Sequence, residues 1–398
     1  MQANATATPA RILPALVLAQ FLGTSPWFAV NAVMLDLQRE QGWQASAVGT
    51  LTASLQWGFI AGTLVFALLA VADRFPARRV FVACAACAAL CTLAAAASAS
   101  SFTALLGWRA LTGFFLAGIY PVGMKIASLW FPQGLGAALG WLVAALVLGS
   151  ASPHALRALG ANWPWQWVFF GVAAAAAGAA AVLWFGVPEP AQRVTAAPLK
   201  LGVLSTLWTD RRLRASVLGY FGHMVELYSM WVLVPLILAS RLIGDTAIAG
   251  WSFAVLAAGS LGCVWGGWWA SRKARSGQQG SADAAAIQLA ISGACCLAAP
   301  WLLQAPLPIF LSWLLLWGAT VAGDSPQLSA LTAANAPRQA VGSALTLSNS
   351  LGFAISAVSI ETFVRLSGQL PLAELLPWLA LGPLLGLLAM RPLLGSQK

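Results

Sequence analysis

A chain of 398 residues that is 60% hydrophobic and only 8% charged is too apolar for a soluble globular domain, in which about 25% of residues carry charge. Continuous apolar runs of about twenty residues, rather than alternating segments of about ten, exclude a transmembrane barrel and specify a bundle of membrane-crossing helices. The net charge of +10 is sorted by loop, which answers to membrane insertion and anionic lipid; no nucleic-acid partner is expected.

The first ten residues carry no charged side chain and the first apolar run is too long for a signal-peptide core, so no cleavable signal is expected. That run, from about Arg11 to Leu35, carries Gln20, Thr24, Trp27 and Asn31 on one face at the helical repeat. Pro26, in its middle, predicts a kink. The second span, about Ala45 to Ala72, ends in the loop Asp73-Arg74-Phe75-Pro76-Ala77-Arg78-Arg79. The third, about Val80 to Ala99, is rich in Ala and suited to close helix contact. Its Cys84, Cys87 and Cys91 share a face. Free Cys behaves as a small buried hydrophobe, so they are read as packing residues, and neither a metal nor another cofactor is expected.

The fourth span starts near Phe102 and places Arg109, Thr112, Gly113, Leu116 and Tyr120 along one face. Lys125 points elsewhere, its side chain reaching for the membrane surface. The fifth runs from about Gly134 to Ser152 and ends at Pro153-His154; the sixth, from about Trp165 to Val187, begins with Trp163 and Trp165 as interface anchors. Residues 188 to 213 form the longest polar connection, within which Leu201 to Trp208 suits a segment lying flat on the membrane.

The seventh span, about Leu213 to Ala239, holds His223 and Glu226 one turn apart. The eighth, about Ala247 to Ala270, ends at Ser271-Arg272-Lys273, and the ninth covers about Ala284 to Leu303. The tenth, about Leu307 to Ala330, carries Trp313, Trp317, Thr320, Asp324 and Gln327 down one broad face. The eleventh, about Gly342 to Phe363, holds Asn349 and ends near Glu361; the twelfth, about Leu372 to Met390, is nearly featureless.

With the spans placed, Arg39, Arg157, Arg241 and Arg365 fall on one side, Arg109 and Lys125 fall within spans, and the other fifteen Lys and Arg fall on the second side. The positive-inside rule puts that basic side, with both termini, in the cytoplasm. Termini on one side require an even number of spans, which fits twelve. The expected location is the plasma membrane, the inner membrane of a bacterium.

The two halves echo each other. Pro121 and Pro132 recur as Pro326 and Pro337, shifted by 205, and Gly136-Ala137-Ala138-Leu139 recurs as Gly342-Ser343-Ala344-Leu345, shifted by 206. Asp73-Arg74 aligns with Ser271-Arg272. Parallel six-span halves are a transporter architecture with the site between them near the midplane.

In span count, central loop and repeat the chain resembles the major facilitator superfamily over nearly its whole length. The sharpest local token is Asp73-Arg74 followed by Arg78-Arg79 between spans two and three. That family usually has Gly four residues before the Asp and shortly after the Arg; here those places hold Leu69 and Pro76-Ala77, and the second-half copy keeps Gly267 but has Ser271 for the Asp. The resemblance implies an all-α membrane protein of two pseudo-symmetric six-helix halves, residues 1–187 and 213–398, joined by a cytoplasmic linker, 188–212. It implies a cavity lined by spans one, four, seven and ten, the four on which the polar faces lie. It also implies a cytoplasmic gate at Asp73, Arg74 and Arg78, with Asp73 meeting a neighbouring helix N-terminus.

Gln20, Trp27, Asn31, Arg109, Tyr120, Trp317 and Gln327 are therefore the expected solute-binding residues. Intramembrane ionisable groups are functional candidates by default. Arg109 can grip a carboxylate or phosphate with two donors. Glu226 and Asp324, with His223 as a relay, are the expected proton-coupling groups. The leading expectation is a secondary transporter, working as a monomer by alternating access with proton coupling, for a small anionic or zwitterionic organic solute. The alternatives are a proton-driven exporter of cationic or amphipathic compounds, bound by the acids and tryptophans, and a membrane sensor that does not transport. No phosphate-binding Gly-Lys-Ser/Thr loop is present, and no enzyme activity is expected.

Overall fold

The computed structural model describes residues 9–44, 46–131, 135–160, 162–189, 202, 205–206, 209–274, 280–338 and 340–394. Most of the linker expected at 188–212, Pro132 of the repeat, and Arg275 and Lys398 of the basic side lie outside the described residues. Every regular element among those described is helical, as backbone groups in hydrocarbon demand: without water, each N–H and C=O must find its partner within the segment. Eleven helices are long and apolar enough to cross a membrane among the described residues. The first span is the twelfth: it is interrupted, as Ile12–Thr24, Ala29–Ala32 and Met34–Gln41.

The second and third spans are Ala47–Leu68 and Ala77–Ala97, with a helical turn Val71–Arg74 between them. The fourth is Phe102–Leu116 followed by Tyr120–Trp130, the fifth Leu135–Leu159 and the sixth Gln166–Gly186. The seventh is Arg211–Ala239, its N-terminus capped by Asp210, whose carboxylate accepts from the backbone N–H groups of Arg212 and Leu213. The eighth is Asp245–Ala274, the ninth Gly280–Leu302, the tenth Leu307–Gly323 and Ser325–Asn335, the eleventh Val341–Ser367. The twelfth runs from Leu372 to Leu394 through a 3-10 segment, Leu376–Ala380, that contains Pro377. In the first half, span four packs on two, and six on one and three; in the second, ten packs on eight, and twelve on seven and nine. The halves meet along spans five with eight and two with eleven. We call the face carrying residues 12 and 394 the basic face, and the other the opposite face.

Proline decides where the central helices break. Tyr120-Pro121 and Ser325-Pro326 each open the second segment of a broken span, so the repeat in the sequence is a repeat of the break. Pro at the second helical position removes no intrahelical hydrogen bond. Pro153 behaves differently. The sequence suggests that the fifth span stops there; instead the helix continues to Leu159, because the Gly149 carbonyl, which Pro153 cannot reach, accepts from the Ser152 hydroxyl at 2.7 Å. Trp165 also departs from expectation. It is 4% exposed and its indole N–H donates to Glu40 at 2.8 Å, so it packs inside the opposite face, while Trp163 lies exposed.

The halves also repeat their tightest contact. A Cβ at Gly58 would lie 1.8 Å from the Ala110 carbonyl oxygen, and one at Gly262 would lie 1.8 Å from that of Ala319. Only glycine lets the backbones of spans two and four, and of eight and ten, approach so closely. Between span two and the basic loop, Ala70 is left-handed, with φ 48° and ψ 42°.

Candidate functional site

Between the halves, about midway through the bundle, lies a layer of rings. Trp27 and Phe28 of span one and Phe59 of span two meet Tyr228 and Trp231 of span seven and Phe353 of span eleven. Trp27 stacks on Tyr228 at 6.0 Å and tilts against Phe59 and Phe353 at 5.1 and 5.7 Å; Phe28 stacks on Tyr228 at 6.2 Å. All six are nearly inaccessible. Aromatic pairs at these separations contribute about 0.5–1.5 kcal/mol each beyond their burial, so the layer holds the halves together as well as filling the centre.

Arg109 lies against the break in span one. Its Nη1 donates to the Pro26 carbonyl at 2.8 Å and its Nη2 to the Trp27 carbonyl. Residues 25–28 leave the α-helix; the Pro26 carbonyl keeps one backbone donor, the Ala29 N–H at 3.4 Å, and Arg109 supplies the stronger bond there and the side-chain donor to Trp27. At 1% exposure, the guanidinium caps the broken helix from the neighbouring span. Asn31 is likewise engaged, with its amide donating to Thr52 Oγ1 at 3.0 Å.

Towards the basic face, two acids occupy different settings. Glu226 faces spans nine and ten: Oε1 accepts from Trp317 Nε1 at 2.7 Å and Cys296 Sγ at 3.1 Å, and Oε2 from Ser292 Oγ at 2.9 Å. All of these partners belong to the second half, and Trp317 is held there against Trp313 at 5.3 Å. Asp324 sits at the junction of the two segments of span ten. Its Oδ1 lies 2.8 Å from Nδ1 of His223, and neither oxygen accepts a well-formed hydrogen bond from another side chain among the described residues. His223 therefore faces Asp324 across spans seven and ten, and its Nε2 is buried without a partner among the described residues. Gln20 is fully buried, with both amide atoms unpartnered among the described residues; it rests over Gly123 of span four. Gln327 is 5% exposed and lies near Gly266 of span eight; Tyr120 is half-buried.

Contacts across the halves close the opposite face. Arg39 and Asp245 pair at 2.6 Å, Thr50 donates to Glu361 at 3.1 Å and Ser356 to Gln56 at 2.8 Å. A cavity of about 130 Å³ lies there, bounded by Asn31, Asp36, His154, Arg157 and Asp245. At the basic face the contact is apolar, with Leu64 of span two packed against Leu213, Val217 and Leu347.

A sequence model of the Major Facilitator Superfamily matches residues 16–360. The chain belongs to the Major Facilitator Superfamily. Solved structures agree on the fold. The human organic anion transporter MFSD10 (TETRAN) superposes with a TM-score of 0.73 at 17% identity, covering 96% of this chain and 99% of its own. A bacterial homologue of the human lysosomal transporter Spinster superposes with TM-scores of 0.67 in an inward-facing unoccupied form and 0.69 in an inward-facing occupied one, at 14% identity, with 97% of this chain and 95% of the other covered. No curated protein matches the sequence. The chain is thus a multi-pass membrane protein with the fold and family of secondary transporters.

The superfamily's loop between spans two and three has its own geometry here. Arg78 lies 4.7 Å over the Trp184 ring, donates to the Trp184 carbonyl at 3.3 Å and approaches Glu189 at 3.6 Å, which ties span three to the end of span six. Arg74 is exposed, and the side chain of Asp73 lies outside the described residues. Lys125 donates to the Ala72 carbonyl at 2.6 Å, so it closes the end of span two. Phe28, Phe59, Tyr228, Trp231 and Phe353 are the central residues that polarity on spans one, four, seven and ten does not find. Their signal is weak because an aromatic in an apolar span also suits lipid or core.

Proposed function

We propose that the chain is a proton-coupled secondary transporter for a small cationic or amphipathic organic solute, with the coupling proton held by His223 and Asp324. The observation that carries this reading is the contrast between Arg109 and Asp324. The two terminal nitrogens of the buried cation are committed to backbone carbonyls, while the buried acid has the imidazole of His223 as its one side-chain partner among the described residues. A buried polar group without a full set of partners calls for an explanation, and a bound solute or proton supplies one. Gln20 and the Nε2 of His223 add further open valences. Once the halves part, the ring layer offers faces to a cation or an aromatic body.

Cation and proton then compete for one carboxylate. When the solute leaves, a proton takes its place; exchange of the two across the membrane is antiport, and an inward proton gradient drives export. Rocking of the halves must part the ring layer and the Arg39–Asp245 contact. We place the basic face in the cytoplasm by the positive-inside rule.

The anionic or zwitterionic reading ranks second: it requires Arg109 to leave the Pro26 and Trp27 carbonyls. MFSD10 carries organic anions by description, and at 17% identity its likeness extends to the fold alone. The test is flux in proteoliposomes with ethidium as the cationic probe and benzoate as the anionic one. Movement of ethidium driven by a pH gradient, abolished in Asp324→Asn, is expected. Gradient-driven benzoate flux that needs Arg109 and leaves ethidium unmoved would replace this reading by the second one.

A further inference from the structure

A groove of about 520 Å³ runs down the side of the bundle where spans two and four of one half meet span eleven of the other. Its walls are mostly apolar: Ala53, Trp57, Leu106, Ala110, Ala357 and Val358. Trp57 is 48% exposed and Val358 59%, so the groove opens sideways into the depth occupied by hydrocarbon. Its upper end, at the opposite face, is polar and carries Glu361 and Arg365. Val358 and Arg365 are seven residues apart, or about 10 Å along a helix. That distance takes the groove from the headgroup level into the acyl region.

The carboxylate of Glu361 is unevenly served. Thr50 Oγ1, Arg365 Nε and Arg365 Nη2 all donate to Oε1, at 3.1, 2.9 and 2.6 Å. Oε2 is buried and has no hydrogen-bond partner among the described residues. A buried carboxylate oxygen without a donor is costly. Beside it the Arg365 side chain is 67% exposed, leaving one face of its guanidinium for an anion. An unserved acceptor and an accessible cation thus sit together above an apolar slot.

We propose that this groove binds a phospholipid of the opposite-face leaflet whose headgroup carries a primary ammonium, that is, phosphatidylethanolamine. The ammonium meets the Glu361 carboxylate and draws Oε2 out of its buried position to accept from it, the phosphate meets the Arg365 guanidinium, and one acyl chain lies along Trp57, Ala53 and Val358. Each charge of the headgroup then has an opposite charge facing it. A choline headgroup has no N–H to donate, and a glycerol headgroup has no cation. Because the walls come from both halves, the lipid bridges them beside the Thr50–Glu361 hydrogen bond and favours the closed opposite face.

The test is native mass spectrometry of the full-length protein titrated with phosphatidylethanolamine, phosphatidylcholine and phosphatidylglycerol of matched chains. The ethanolamine lipid is expected to bind about fivefold or more tighter than the other two. Glu361→Gln should erase that preference, Arg365→Gln should weaken all three, and Val358→Trp, at a lipid-exposed position, should block the slot and weaken all three while leaving the melting temperature within a few degrees. Equal affinity for the three lipids overturns the assignment, as does an ethanolamine preference that survives Glu361→Gln, or binding untouched by Val358→Trp. Should Glu361→Gln fail to fold, Arg365→Gln and Val358→Trp carry the test. Displacement of all three lipids by ethidium would make the groove a solute path and would also overturn it.

Discussion

His223 and Asp324 face each other at 2.8 Å between the seventh span and the break of the tenth, each 1% exposed. The break matters to the pair. Asp324 is the residue at which Leu307–Gly323 gives way to Ser325–Asn335, so rocking that bends span ten there moves the carboxylate relative to the imidazole. A site that exchanges a proton for a solute needs such a movable partner.

If proton and cation compete at Asp324, cation binding weakens as pH falls. For one competing proton the loss is about tenfold per pH unit below the pair's apparent pKa, since one pKa unit is 1.36 kcal/mol. Binding of ethidium measured from pH 5 to 9 should follow this slope in the wild type. Asp324→Asn should bind weakly and without pH dependence, and His223→Gln should shift the profile.

Arg109→Ala should cost stability more than selectivity. It takes the side-chain donor from the buried Trp27 carbonyl, at about 1–3 kcal/mol, leaves that of Pro26 with only the long bond from the Ala29 N–H at 3.4 Å, and opens a cavity at the break in span one. A clear drop in melting temperature is expected. Arg109→Lys should recover part of it, since one ammonium can serve a carbonyl but lacks the fork of the guanidinium. Normal stability with lost binding of anions would assign Arg109 to the solute instead.

Glu226→Gln separates the two acids. The carboxylate accepts three donors within one half; the amide oxygen keeps the Trp317 and Cys296 bonds and only the Ser292 hydroxyl must reverse to accept from the NH2, so a loss of about 1 kcal/mol is expected with pH-driven flux retained. Altered tryptophan fluorescence from Trp317 gives an independent readout. Wild-type stability with uncoupled flux would place Glu226 in the proton path.

Ala70→Gly should raise stability by about 1 kcal/mol. Ala70 is left-handed, a conformation that costs a residue with a Cβ roughly 1–2 kcal/mol and glycine little. Thermal unfolding in detergent reads this directly.

Arg39→Ala should change little. The pair with Asp245 crosses the halves, but its side chains are 62% and 33% exposed, and surface pairs contribute about 0–1 kcal/mol. Accessibility of a cysteine placed at Asn31 should change by no more than about fivefold. The ring layer and the Gln56–Ser356 contact hold the opposite face closed without that pair.

Much of the fold was legible because hydrocarbon leaves few choices: run length gives the spans, loop charge the two faces, and Pro121 and Pro326 the repeat. Gln20, Arg109, His223, Glu226 and Asp324 were visible as polar groups at membrane depth, which rarely occur without reason. Their partners were not. His223 and Glu226 stand one turn apart on the same helix, yet one turns to Asp324 and the other to Ser292, Cys296 and Trp317. Arg109 could not be matched to the Pro26 and Trp27 carbonyls, since backbone freed by a break shows only as a proline in the sequence. Phe59 and Phe353 lie on spans two and eleven, where no polar face draws notice. Pro153 was misleading because a neighbouring serine hydroxyl made good the missing hydrogen bond.

The most direct measurement is proton release when the purified protein binds a lipophilic cation, tetraphenylphosphonium, in weakly buffered solution. One proton released per cation bound in the wild type, and none in Asp324→Asn, is the predicted result. Cation binding without proton release, or release unchanged in Asp324→Asn, would contradict competition at that carboxylate.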